Sequence, residues 1–289
     1  MRPTTEMHAP STEERRPAGP ADVVRQVVVL VTSLLAIAAA FVGSGAAGGT
    51  PIQEAAGGWL DADSTLIAPA RPAFSVWSVI YAGMLAHAIW QALPAQRAAE
   101  RQRRIGYAVA GSLVLNAVWI GVVQADLLGF SLPVIVALVA VLAWIFVQVR
   151  RMPPTGVVDA ALTDGPVGLY LGWVIVATAA NATAVFQAAG FRGWGLAEET
   201  WAVIVIAAAG VVGVALALWG RGRIAPMLTL CWGLAWVAVG RLADEPASTT
   251  TGIAAIVAAG VVAVVTIVAR VGSARTARAE SSAGGGESA

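Results

Sequence analysis

Eight apolar stretches divide this 289-residue chain, and fifteen of its eighteen arginines fall into every second gap between them. The stretches run from Gln26 to Val42, Pro72 to Leu93, Ile105 to Val123, Phe130 to Val149, Pro166 to Ala188, Glu199 to Trp219, Ile224 to Gly240 and Thr251 to Ala269. Each approaches the roughly 20 residues that a helix needs to cross the hydrocarbon core of a bilayer. Basic residues in short loops are retained on the cytoplasmic side. With the amino terminus inside, the inner segments hold Arg2, Arg15, Arg16 and Arg25, then Arg97, Arg101, Arg103 and Arg104, then Arg150 and Arg151, Arg221 and Arg223, and last Arg270, Arg275 and Arg278. The outer loops keep only Arg71, Arg192 and Arg241. The pattern predicts an all-α, polytopic integral membrane helix bundle of about eight transmembrane helices. It is expected in the cell membrane as a multi-pass protein with both termini cytoplasmic and with membrane lipid as its surroundings.

Composition agrees, since 12% charged residues is about half of what a water-soluble domain carries. The net charge of +1 is spread over loops and offers no basic face to track phosphates, so no nucleic-acid partner is expected. A single cysteine, Cys231, forms no intrachain disulfide and no paired-cysteine metal site. Residues 1–25 and 272–289 are too polar and too simple to bury a core, and are expected to be disordered cytoplasmic tails. The outer loop from Ser44 to Arg71 differs, because Trp59, Leu60, Leu66 and Ile67 equip it to fold back over the helix ends. Small residues at 43–46 imitate a signal-cleavage site, but the apolar run before them is long for a secretory signal and is taken as a retained helix.

Several chemistries are excluded by what is missing. The chain has no lysine, so it builds neither a retinal Schiff base nor a phosphate-loop ATPase. Its two histidines, His8 and His87, do not furnish a catalytic zinc site or two-histidine haem ligation within one chain. Acidic residues are placed in loops and at helix ends: Asp126 at a helix end, Asp159 and Asp164 in an inner loop, Glu198 and Glu199 at an outer boundary, and Asp244 and Glu245 in the last outer loop. Without a carboxylate in the middle of the bilayer, a pump is disfavoured and acid–base catalysis is the least supported activity. No catalytic and no metal-ligating residue is assigned.

Aromatic and amide groups remain inside the membrane, and they cluster on faces. Phe74, Trp77, Tyr81, Met84 and Ala88 recur at spacings of three and four, with His87 at the edge of the stripe. Asn116 and Trp119 share a face of the third helix, and Tyr170, Trp173, Ala177, Asn181 and Ala184 share one on the fifth. The amides must turn inward to find partners, either to fasten helices together or to line a pocket. Trp90, Trp201 and Trp219 fit an interfacial aromatic belt. Gly168 and Gly172 have the spacing that lets two helices pack closely.

At these residues the chain resembles the tryptophan-rich sensory protein family, the translocator proteins (TspO/MBR). Leu115-Asn116-Ala117-Val118-Trp119 is similar to that family's Leu-Asn-x-x-Trp, and Tyr170-Leu171-Gly172-Trp173-Val174 with Ala177 and Asn181 to its fifth-helix motif. Val76-Trp77 with Tyr81 is similar to its second-helix Pro-Val-Trp-x-x-x-Tyr. Ser75 and Leu169 replace prolines of the pattern. The resemblance covers about the first 190 residues, implying a five-helix core over 26–190 and three additional helices over 191–271. It also implies an interior pocket for a large planar or apolar small molecule, with a porphyrin or other tetrapyrrole as ligand and no resident cofactor, opening toward the outer side. The residues implied for it are Phe74, Trp77, Tyr81, Asn116, Trp119, Tyr170, Trp173, Ala177 and Asn181, aromatics stacking and amides hydrogen-bonding. A homodimer is left open by the sequence. So are two other functions, a facilitative small-molecule or lipid transporter and an enzyme acting on a bound pigment or lipid.

Overall fold

The computed structural model describes residues 17–284. Among them no strand occurs, and eight helices are long and apolar enough to cross a membrane. They are built on α1 (Pro20–Gly43), α2 (Val76–Ala92), α3 (Glu100–Gln124), α4 (Leu128–Arg151), α5 (Gly165–Ala188), α6 (Glu198–Trp219), α7 (Ile224–Ala243) and α8 (Thr249–Gly284), the second span starting with the turn at Arg71 and the fifth with the turn at Val157. The protein is a multi-pass membrane helix bundle.

The helices outrun the apolar windows, because backbone hydrogen bonding does not stop where hydrophobicity does. Two expectations change as a result. Asp159 and Asp164 are not in a loop: they close a helical turn, Val157–Asp159, and a π-turn, Ala160–Asp164, that lead into α5. The carboxy-terminal segment expected to be disordered from residue 272 continues α8 as far as Gly284. Alanine and arginine are strong helix formers, and lengthening an existing helix requires no new nucleus. The disorder expected of the amino-terminal end falls on residues 1–16, outside the described residues, while Pro20 already opens α1.

Neighbours in space depart from neighbours in sequence. α1 packs on α2 and α3, α3 on α4, α4 on α5, α5 on α7, α7 on α8 and α8 on α6. α7 therefore occupies the place beside α5 that α6 would take in a simple up-and-down order. Missing side chains allow this. A Cβ on Gly168 would stand 2.7 Å from that of Ala225, one on Gly172 would strike the Pro226 carbonyl oxygen, and one on Gly233 would stand 2.8 Å from a Val176 methyl. The Thr229 hydroxyl then donates to the Leu169 carbonyl at 2.7 Å. In lipid such close packing, more than hydrophobicity, holds helices together. One buried core crosses residue 190, joining Ile80, Leu113, Leu142, Tyr170 and Trp173 to Leu230, Leu234 and Val262.

The bundle has two unlike ends. At the loop end, residues 44–70 fold across the helix termini and bury Leu66, Ile67, Ala68 and Ala70. Arg241, 1% exposed, donates to the carbonyls of Ala62 at 2.7 Å and Thr65 at 2.9 Å. The Ala70 N–H donates to the Trp236 carbonyl, and the Trp232 indole to the Ala73 carbonyl. Arg71 pairs with Asp61 at 2.6 Å, and that guanidinium holds the Asp61 carboxyl below the usual carboxylate range. At the arginine-rich end, Arg103 pairs with Asp22 at 2.7 Å and Arg25 donates to the Arg97 carbonyl at 3.0 Å. These bonds fasten α1 into the bundle.

Candidate ligand-binding site

The aromatic and amide faces of α2, α3 and α5 turn toward one another in the loop-end half of the bundle. Phe74 reaches in from the 3-10 turn, Arg71–Ser75, that leads into α2. Its ring meets Trp173 edge-on at 5.8 Å, while Trp77 stacks on Tyr81 at 5.3 Å and stands edge-on to Tyr170 and Trp173. Such arrangements suit the ring quadrupoles, whose edges are positive and faces negative. The spacing of three and four residues along α2 and α5 is what puts these rings on one face of each helix.

The amides tie the rings to the frame. Asn116 donates to the Tyr81 hydroxyl at 2.5 Å, and the Trp119 indole donates to the Asn181 side-chain oxygen Oδ1 at 2.7 Å. Asn181 donates in turn to the Ser131 hydroxyl of α4 at 2.8 Å. The Tyr170 hydroxyl donates to the Ser112 carbonyl at 3.4 Å. Asn116, Asn181, Tyr170 and Trp173 are buried, and Phe74, Trp77, Tyr81, Trp119 and Ala177 are half-buried against the same core. The Trp173 indole Nε1 is buried with no hydrogen-bond partner.

His87 lies toward the other end of α2, fully buried, with Nδ1 3.1 Å from the Leu162 carbonyl and 3.4 Å from the Thr163 hydroxyl. The acidic residues also depart from expectation. Asp159, 4% exposed, pairs with Arg101 at 2.6 Å, and Arg101 also binds Asp164, which pairs with Arg223 at 2.5 Å. A buried acid–base cluster thus exists at the arginine-rich end. Each of its ion pairs joins residues 58 or more positions apart, so no local pattern reveals it.

A cavity of about 570 Å³ opens at the loop end between α5 and α6, and none of the nine residues expected to line a pocket borders it. Leu66 and Ile67 of the long loop, Thr183 and Gln187 of α5, and Trp201 and Val205 of α6 line it instead. It exists because α6 packs on α8 and leaves the flank of α5 partly uncovered. Trp201, assignable to an interfacial belt by its place near a helix end, is a wall of this cavity and donates to the Gly193 carbonyl at 2.8 Å. The available signal was the grouping of Phe186, Phe191, Trp194 and Trp201 about one connection. Ser131, a lone hydroxyl in an apolar run, was another.

A family model described as TSPO-like protein matches residues 28–268. The chain belongs to this family. The match spans this TSPO-like protein from α1 to α8, beyond the 190 residues on which its motifs lie. No curated protein and no solved structure matches the chain. Membership agrees with the geometry at the three faces, since the residues that carry the motifs are those whose rings and amides meet inside this TSPO-like bundle.

Proposed function

We propose that this TSPO-like protein binds a large planar or apolar small molecule of tetrapyrrole type within the membrane, for sensing or transport. It does so in the cell membrane, with both termini cytoplasmic and the loop end outside. The observation that carries this reading is the convergence of Trp77, Tyr81, Tyr170 and Trp173 with Asn116 and Asn181. Rings give broad apolar contact while a few polar groups set orientation, the usual composition of a small-molecule site. A planar guest would replace ring-to-ring contacts with ring-to-guest contacts of the same kind. The unpartnered Trp173 indole supplies a donor for it.

Porphyrin titration of the purified protein in detergent tests this. Tryptophan emission is expected to be quenched saturably, and Trp77→Ala and Trp119→Ala to weaken the quenching. Unchanged wild-type emission at high micromolar porphyrin would remove the reading's support.

A further inference from the structure

The cavity between α5 and α6 has features that the aromatic faces do not use. We propose that it is a binding site for an amphiphile that carries an anionic head group on an apolar body. A volume of about 570 Å³ lies within the roughly 300–1,000 Å³ of small-molecule sites, and Leu66, Ile67, Phe186, Phe191 and Trp201 supply apolar walls.

Two polar groups at the cavity ask for a partner. The Gln187 side-chain oxygen is buried without a hydrogen bond, which costs free energy, and turning that amide over would present its NH2 donor to an anionic oxygen in the cavity. Arg192 borders the cavity and is exposed. Of the three arginines at the loop end, Arg71 is committed to Asp61 and Arg241 to the carbonyls of Ala62 and Thr65. Among the described residues Arg192 has neither a hydrogen bond nor an ion pair. Positive charge is disfavoured in the short loops of this end. Glu198 also borders the cavity, but it stands in the first turn of α6, where the helix dipole accounts for a carboxylate. Arg192 stands four residues beyond the end of α5, outside the reach of the corresponding effect. An anionic head group beside it would complete the charge arrangement.

The connection is shaped to hold aromatic groups at the mouth. Gly190, Gly193 and Gly195 have positive φ, and Trp194 adopts φ +48°, a region that bulky residues avoid. Trp194 is 85% exposed, with its ring 5.3 Å from Phe191 and 6.1 Å from Trp201.

The test uses dansylaminoundecanoate, whose dansyl group accepts energy from tryptophan, with its methyl ester as the neutral control. In the full-length protein in detergent, the acid is expected to bind saturably and more tightly than the ester. Arg192→Gln should weaken the acid about tenfold and leave the ester unchanged, while Arg192→Lys restores the acid. Ala182→Trp, which fills the cavity, should remove binding of both; Thr183→Trp replaces it if that variant unfolds. Trp77→Ala should affect porphyrin quenching and leave the dansyl probe unaffected, which separates this site from the aromatic faces. Equal binding of acid and ester, indifference to Arg192→Gln, or loss of the probe in Trp77→Ala would each overturn the proposal. Displacement by dihexanoylphosphatidylglycerol identifies a bilayer lipid as the source of the anion, and displacement by decanoate alone a free acid. Displacement by neither overturns it.

Discussion

Arg101 of α3 and Asp159 at the head of α5 meet at 2.6 Å, both side chains nearly shut off from solvent. The desolvation that such a pair suffers is offset only if its remaining groups are bonded. Most of them are: the Thr155 N–H and the Thr163 hydroxyl donate to Asp159 at 3.0 Å and Arg101 continues to Asp164, while the Arg101 Nε alone is buried without a partner. This cluster joins α3, the lead into α5, and α7 through Arg223.

Removing Arg101 should therefore be worse than removing Asp159. Arg101→Leu leaves a buried carboxylate and is expected to cost about 3 kcal/mol. Asp159→Asn leaves Arg101 paired with Asp164 and should cost less. Thermal unfolding in detergent measures both, and a smaller loss for Arg101→Leu would contradict this account.

Acid should loosen the long loop through Asp61. Its carboxyl is held below its ordinary value by Arg71, so the folded-state affinity for a proton is lower than that of the unfolded chain. That contribution is fully present above the ordinary carboxylate value of about 4 and is lost as pH falls through the lowered one. Hydrogen exchange of residues 59–64 is expected to speed up below about pH 4 in the wild type. In Asp61→Asn this pH dependence should be absent.

Two glycine-to-alanine changes should act in opposite directions. Gly172→Ala drives a methyl into the Pro226 carbonyl and the Thr229 hydroxyl, and should destabilise by about 1–3 kcal/mol. Gly111→Ala in α3 meets nothing within 4 Å and should stabilise by up to about 1 kcal/mol, as a helix interior prefers alanine. Paired melting curves check the difference in sign.

Asn181 separates fastening from recognition. Asn181→Ala breaks the bonds from Trp119 and to Ser131, and at about 0.6 kcal/mol each should lower stability by only about 1 kcal/mol. Porphyrin quenching is nonetheless expected to weaken about tenfold, because Trp119 loses the bond that fixes its ring. Quenching that falls no further than the melting point accounts for would make Asn181 a fastener alone.

The stripes on α2, α3 and α5 were legible because 3.6-residue periodicity is local: Trp77, Tyr81 and Met84 share a face wherever α2 lies. That Trp77 packs against Tyr170 and Trp173 follows from their common inward direction. The Asp159 and Asp164 cluster was illegible, since a polar stretch between apolar runs reads as a loop until arginines from α3 and α7 arrive. The cavity walls escaped for the same kind of reason. Trp201 looks like an interfacial residue until α6 is displaced from α5.

The sequence by itself determined eight spans, two unlike ends and the helical faces, because bilayer thickness, the cost of unpaired backbone in hydrocarbon and helical pitch all act on contiguous residues. Only the tertiary structure decided that α7 sits beside α5, that Arg101 finds Asp159, and that a cavity stands between α5 and α6. Those outcomes depend on glycine-lined contacts and hydrogen bonds between residues tens of positions apart. Lipid gives helices no hydrophobic preference for one neighbour over another, so surface fit makes the choice.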